Sequence, residues 1–143
     1  MIYEEWEETE KSVELLKKLV SLQPDRLEPL SNLGFIHSNL GDGEKALYYF
    51  NRAQELDPNN PFLINNRGYA YYVLKEYKKA KKDVMQSLKL YPENSYAYRN
   101  LALIYLAQNQ INEACLALKS SLYHGFTYNF GDEVENLIDI NCK

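Results

Sequence analysis

Apolar residues return every three or four positions along most of this chain, the spacing that buries one face of a helix. Residues 3–22 form the first such stretch. Its stripe is Val13, Leu15, Leu16, Leu19, Val20 and Leu22, after a solvated acidic turn containing Glu4, Glu5, Glu7 and Glu8. Pro24 stops this helix, and Asp25 is placed to cap the next one. From Leu27 the stripes come in pairs. Leu30, Leu33, Gly34, Ile36 and His37 face inward on a first helix, and Gly41-Asp42-Gly43 makes a turn. Ala46, Leu47, Tyr49, Phe50, Ala53 and Leu56 line a return helix, which Asp57-Pro58-Asn59-Asn60 ends. A second pair has Ile64, Gly68 and Tyr71, then Tyr77, Ala80, Val84 and Leu88, closed by Pro92. A third has Tyr98, Leu101, Ala102 and Tyr105, then Ile111, Ala114, Leu118 and Leu122, with His124-Gly125-Phe126 in place of a closing proline. From Asp132 to Ile140 a short amphipathic stretch carries Val134, Leu137, Ile138 and Ile140 on one side.

The pairs are copies of one another. Asn32, Asn66 and Asn100 are 34 residues apart, as are Gly34, Gly68 and Ala102; Ala46, Ala80 and Ala114; and Pro24, Pro58 and Pro92. Self-similarity at such a period marks stacked supersecondary units, each unable to bury its apolar face alone. The small residues sit where the two helices of a hairpin approach closely, and the prolines set the angle into the next hairpin. Terminal units of such a stack need a polar outer face, so the last amphipathic stretch reads as a cap on the third hairpin, and the first helix reads either as a cap at the other end or as the second helix of a trimmed repeat.

Composition narrows the partners. The 143 residues are 45% hydrophobic and 25% charged, ordinary values for a soluble globular chain. The net charge of −4 disfavours nucleic acid or an anionic membrane, since both call for clustered cations. Cys115 and Cys142 have no CxxC spacing, and they read as idle thiols in a reducing compartment. The acidic opening MIYEEWEETEK lacks the apolar run of a signal peptide, and no stretch reaches membrane-spanning length, so the expected location is cytoplasmic. Thirteen tyrosines are more than a domain of this size can bury, and aromatic residues suit binding surfaces.

The pattern Leu33-Gly34, Ala46, Phe50, Ala53 and Pro58, repeated at 34 residues, resembles the tetratricopeptide repeat family over about residues 27–126. Arg67 stands in place of the family's usual leucine, Ser87 and Ser121 in place of alanine, and Phe126 in place of proline. The resemblance implies an all-α, right-handed solenoid of three hairpins (27–60, 61–94 and 95–128) between an N-terminal helix in 3–24 and a capping helix in 131–143. It also implies a concave groove lined by the first helix of each hairpin, binding of a protein or peptide there, and no catalysis or cofactor.

On that geometry the groove face presents Asn32 and Phe35, then Phe62, Asn65, Asn66, Tyr69 and Tyr72, then Tyr96, Arg99 and Asn100. Asn32, Asn66 and Asn100 are expected to form a ladder whose amides pair with a peptide backbone, or else to stabilise the hairpins. The interleaved aromatics would form an apolar patch of the kind that marks an interaction site, or pack on one another. Some members of the family clamp a chaperone's terminal carboxylate with lysine, arginine and asparagine. The corresponding positions here are Ser31, Phe35, Asn66, Tyr96 and Asn100; only Asn66 matches, which argues against that ligand.

Three roles fit this groove: an adaptor for protein segments, a dedicated chaperone or immunity-type protein masking one secreted effector, and a self-associating module, monomeric or weakly dimeric. His37 replaces a tyrosine facing the partner helix and reads as a core residue, and His124 suits a helix C-terminus. Lys75, Lys78, Lys79, Lys81 and Lys82 read as a solvated convex face. With no HExxH motif, Cys/His cluster or Gly-rich phosphate loop, neither a metal nor a small-molecule substrate is expected. Added zinc or nucleotide should therefore leave the melting temperature unchanged; a clear stabilisation would contradict this.

Overall fold

The computed structural model describes residues 2–143. Its helices are α1 (Ile2–Leu22), α2 (Leu27–Asn39), α3 (Gly43–Leu56), α4 (Pro61–Val73), α5 (Tyr77–Leu90), α6 (Ser95–Ala107), α7 (Ile111–Tyr123), α8 (Phe126–Phe130) and α9 (Glu133–Asn141). Helices α2–α3, α4–α5 and α6–α7 are three antiparallel hairpins stacked in chain order as an α-solenoid, with α1 packed on α2 and α9 packed on α7. The first helices α2, α4 and α6 touch in succession and form the inner wall.

The hairpin turns repeat one geometry. Gly41, Lys75 and Asn109, 34 residues apart, all take positive φ, at 81°, 60° and 58°. In each turn the next residue's N–H reaches back to the first helix: Asp42 to the His37 carbonyl, Glu76 to Tyr71 and Gln110 to Tyr105, at 2.8–2.9 Å. These bonds satisfy carbonyls that a helix end leaves unpaired. The connections between hairpins are capped as well. Asn60 accepts from the N–H groups of Phe62 and Leu63, and Asn94 accepts from Ala97.

The close approaches anticipated at glycine are present. A Cβ on Gly34 would lie 2.6 Å from the Phe50 ring, and one on Gly68 would lie 2.9 Å from Val84 and 3.2 Å from the Ala80 carbonyl. Around them Ala46, Phe50, Ala70, Ala80 and Val84 are fully buried. The departures from the repeat pattern have partners. The Ser87 hydroxyl donates to the Pro61 carbonyl at 2.7 Å, and Ser121 donates to Ser95 at 2.8 Å, each tying a return helix to the start of its own hairpin. Arg67 forms a bidentate pair with Asp83 at 2.7 and 2.8 Å and also reaches Asn51, fastening the second hairpin to the first.

Several expectations are corrected. In α1 the buried side is Val13, Leu16 and Val20, whereas Leu15 and Leu22 face solvent, because α1 has one packing neighbour and hides only a narrow stripe. A short helix, α8, stands where no element was expected. Gly125, at φ 86°, ends α7 and lets the chain wind again, with Phe126 driven into the core. The cysteines are not free: Cys115 and Cys142 are joined in a disulfide with Cα atoms 5.7 Å apart. Docking of α9 on α7 brings together residues 27 apart in the chain, which their spacing alone does not reveal.

His37 is buried and stacks on Tyr49 at 5.7 Å, a core histidine. Replacing Gly68 by Leu should cost about 3 kcal/mol by forcing α4 from α5, seen as a melting temperature lower by on the order of 8 °C; an unchanged melting point would refute the packing argument. Burial holds the His37 imidazole below its ordinary value of about 6.5. The unfolded chain therefore takes up a proton first, and stability falls as the pH drops from about 6.5 toward the lowered folded value. A His37→Phe variant should lose less stability over that interval than the wild type does, measured by thermal melts against pH.

Candidate functional site

The inner wall carries a small aromatic cavity of about 250 Å³. Phe35 from α2, Phe62 and Asn66 from α4, and Tyr96 from α6 line it, with Asn65 and Asn94 behind and Phe130 from α8 at one side. Phe62 is 57% exposed although its ring leans on Tyr91 at 5.7 Å. Phe130 meets the Tyr96 ring edge-on at 5.1 Å, and Phe126 lies beneath both. Larger hollows elsewhere are differently built; the one of about 600 Å³ beside α5 is walled chiefly by lysine and glutamine.

Asn94 gives the cavity a polar point. Its side-chain oxygen caps α6 by accepting from the Ala97 N–H, while its buried Nδ2 has no hydrogen-bond partner among the described residues. A buried polar group without a partner costs on the order of 1–3 kcal/mol, and His37 Nε2, Ser38 Oγ and Gln54 Oε1 share that condition. The site thus combines apolar aromatic walls with the amide side chains of Asn65, Asn66 and Asn94, the usual makeup of a binding cleft.

Beside the cavity lies a second cluster. The Arg99 guanidinium sits between the rings of Tyr69, at 5.3 Å, and Tyr96, at 5.1 Å. Its Nη1 donates to the Asn100 side-chain oxygen at 2.8 Å, and Asn100 in turn donates to the Asn65 side-chain oxygen at 3.1 Å. Its Nε and Nη2 donate to Glu133 Oε1 at 3.0 and 2.7 Å. Tyr69 stacks on Tyr72, which leans on Tyr77. Burial pushes the Tyr72 and Tyr96 hydroxyls above their ordinary value, so both stay neutral and offer donors at physiological pH.

Of the residues expected in the groove, Phe35, Phe62, Asn65, Asn66 and Tyr96 meet at the cavity, and Tyr69, Tyr72, Arg99 and Asn100 meet beside it. Asn32 is exposed outside the cavity. The exposed asparagine ladder is not found. Asn100 is 1% exposed and Asn65 2%, and their amides are spent on each other and on Arg99, because adjacent first helices pack side by side there. Arg99 is buried as well. Asn94, Phe130 and Glu133 were missed. Glu133 lies 34 residues beyond Arg99, so one more step of the repeat would have paired the two charges.

Models of the tetratricopeptide repeat match residues 1–26, 28–60, 61–94 and 84–115. No curated protein sequence matches the chain. Among solved structures, TTC0263, described as a thermophilic TPR protein in Thermus thermophilus, superposes with a TM-score of 0.78 at 24% identity, over 90% of this chain and 70% of that one. Pseudomonas aeruginosa pilF gives 0.74 at 23% identity, over 96% and 64%. A crystal structure of MamA gives 0.68 at 19%, over 87% and 73%. At these identities the likeness concerns the fold. With repeat models covering most of its length and the stacked hairpins seen directly, the chain belongs to the tetratricopeptide repeat family.

Proposed function

We propose that this protein is a non-enzymatic scaffold that holds a segment of a partner protein in its concave groove. Membership of a family of protein-interaction repeats supports the general role. The observation that carries the specific site is the aromatic cavity of Phe35, Phe62, Asn66 and Tyr96 on the inner wall. A side chain of the partner fills the cavity, and Asn66, which is only half-buried, offers its amide to the partner's backbone. Tyr69 and Tyr72 extend the wall toward Arg99. Recognition by stacking, amide pairing and one guanidinium is chemistry for holding rather than for making bonds.

The alternative role, masking one secreted effector, draws support from the net charge of −4, which suits a basic partner. Among the described residues no helix is long and apolar enough to cross a membrane. A cytoplasmic location carries a condition: the Cys115–Cys142 bridge persists in oxidising compartments and is reduced in the cytosol.

A quantitative pull-down from the source cell, wild type beside the Phe62→Ala/Asn66→Ala double variant, tests the groove. Both residues line the cavity without being fully buried, so the variant should melt within a few degrees of wild type and lose partner binding about tenfold or more. One stoichiometric partner lost in the variant supports the dedicated role, and several weak ones lost together support the adaptor. Equal recovery by both proteins refutes the groove as the site.

A further inference from the structure

Resting on the groove reading, we infer that residues Phe130–Glu133 are a built-in occupant of the groove's C-terminal end, and that the partner displaces them with the same chemistry: an aromatic residue followed three positions later by a carboxylate. The segment touches both parts of the site. Phe130 meets Tyr96 edge-on and walls the cavity, while Glu133 binds Arg99 on the other side of the Tyr96 stack. Gly131, at φ 95°, turns the chain between them.

The Arg99 seat is built without Glu133. Two tyrosine rings and the Asn100 oxygen hold the guanidinium, whose side chain is only 11% exposed. Glu133, by contrast, is 44% exposed, and only its Oε1 takes the two Arg99 bonds, so the carboxylate can be reached from solvent. A buried cation left alone is costly, but exchange of one carboxylate for another never leaves it alone. Nor does α9 depend on this contact for its place. Val134, Leu137 and Ile138 pack into the core, and the disulfide ties the far end of α9 to α7. The beginning of the segment can lift while the rest of the cap stays docked. Occupancy by Phe130 and Glu133 then lowers apparent affinity by the fraction of molecules in which the seat is filled.

The probe is a synthetic peptide of residues 129–134, acetyl-Asn-Phe-Gly-Asp-Glu-Val-amide, titrated by NMR into the full-length ¹⁵N-labelled chain. The Phe130→Ala/Glu133→Gln variant should bind it about tenfold more tightly than wild type, with shifts at the Asn94 side-chain amide and the Arg99 Nε–H. The same peptide with Gln in place of Glu should bind that variant about tenfold less tightly. Glu133→Gln alone, which keeps the shape of the cap, should shift affinity in the same direction should the double variant lose stability. Equal binding by wild type and variants, or no binding to any of them, would overturn the inference and leave the segment a structural cap. A pull-down partner still lost with Phe62→Ala/Asn66→Ala would in that event show the groove reading standing while the built-in occupant falls.

Discussion

Everything in this molecule hangs on how closely the two helices of a hairpin can lie. At Gly34 and Gly68 there is no room for a Cβ, and opposite them the Phe50 ring and Ala80 are wholly buried. Because packing in a core is as dense as in a crystal, a missing methyl group at the crossing sets the spacing of two entire helices. A small residue recurs at that position in every hairpin, Gly34, Gly68 and Ala102. A one-dimensional stack with a continuous inner wall follows from a local choice made again every 34 residues.

The polar residues of the interior adjust that stack rather than oppose it. Ser87 and Ser121 replace alanine, and each hydroxyl reaches a first-turn carbonyl of its own hairpin. Arg67 replaces leucine and is answered by Asp83 and Asn51. In each case a buried polar group has a partner, the condition under which burial is tolerated. Asn94 is different. One end caps a helix, and the other is buried without a partner beside the aromatic cavity.

Much of the architecture was legible in the residues. The period of 34, the small residues within it and the prolines between hairpins all act through neighbours close in the chain, so their spacing carries the information. The cavity was legible in part. Phe35, Phe62, Asn66 and Tyr96 share one repeat face, and the stack brings them together as that face implies. The asparagine ladder was not, since repeat register says which face a residue occupies but not what the adjacent helix lays over it. Asn100 shares the phase of Asn32 and Asn66, yet it is covered and bonded to Asn65.

By itself, then, the sequence determined the helical hairpins, their number and their register, because these follow from contacts three to four residues apart and a repeat that copies them. Only the tertiary structure decided the rest. It joined Cys115 to Cys142, buried Arg99 between two tyrosines with Glu133 upon it, and brought Phe130 to the edge of the cavity. Those contacts form where the hairpins end and α8 and α9 fold back on the last of them, and among them the Arg99–Glu133 pair alone keeps the spacing of 34. They depend on the path of two non-repeating turns, at Gly125 before α8 and Gly131 after it.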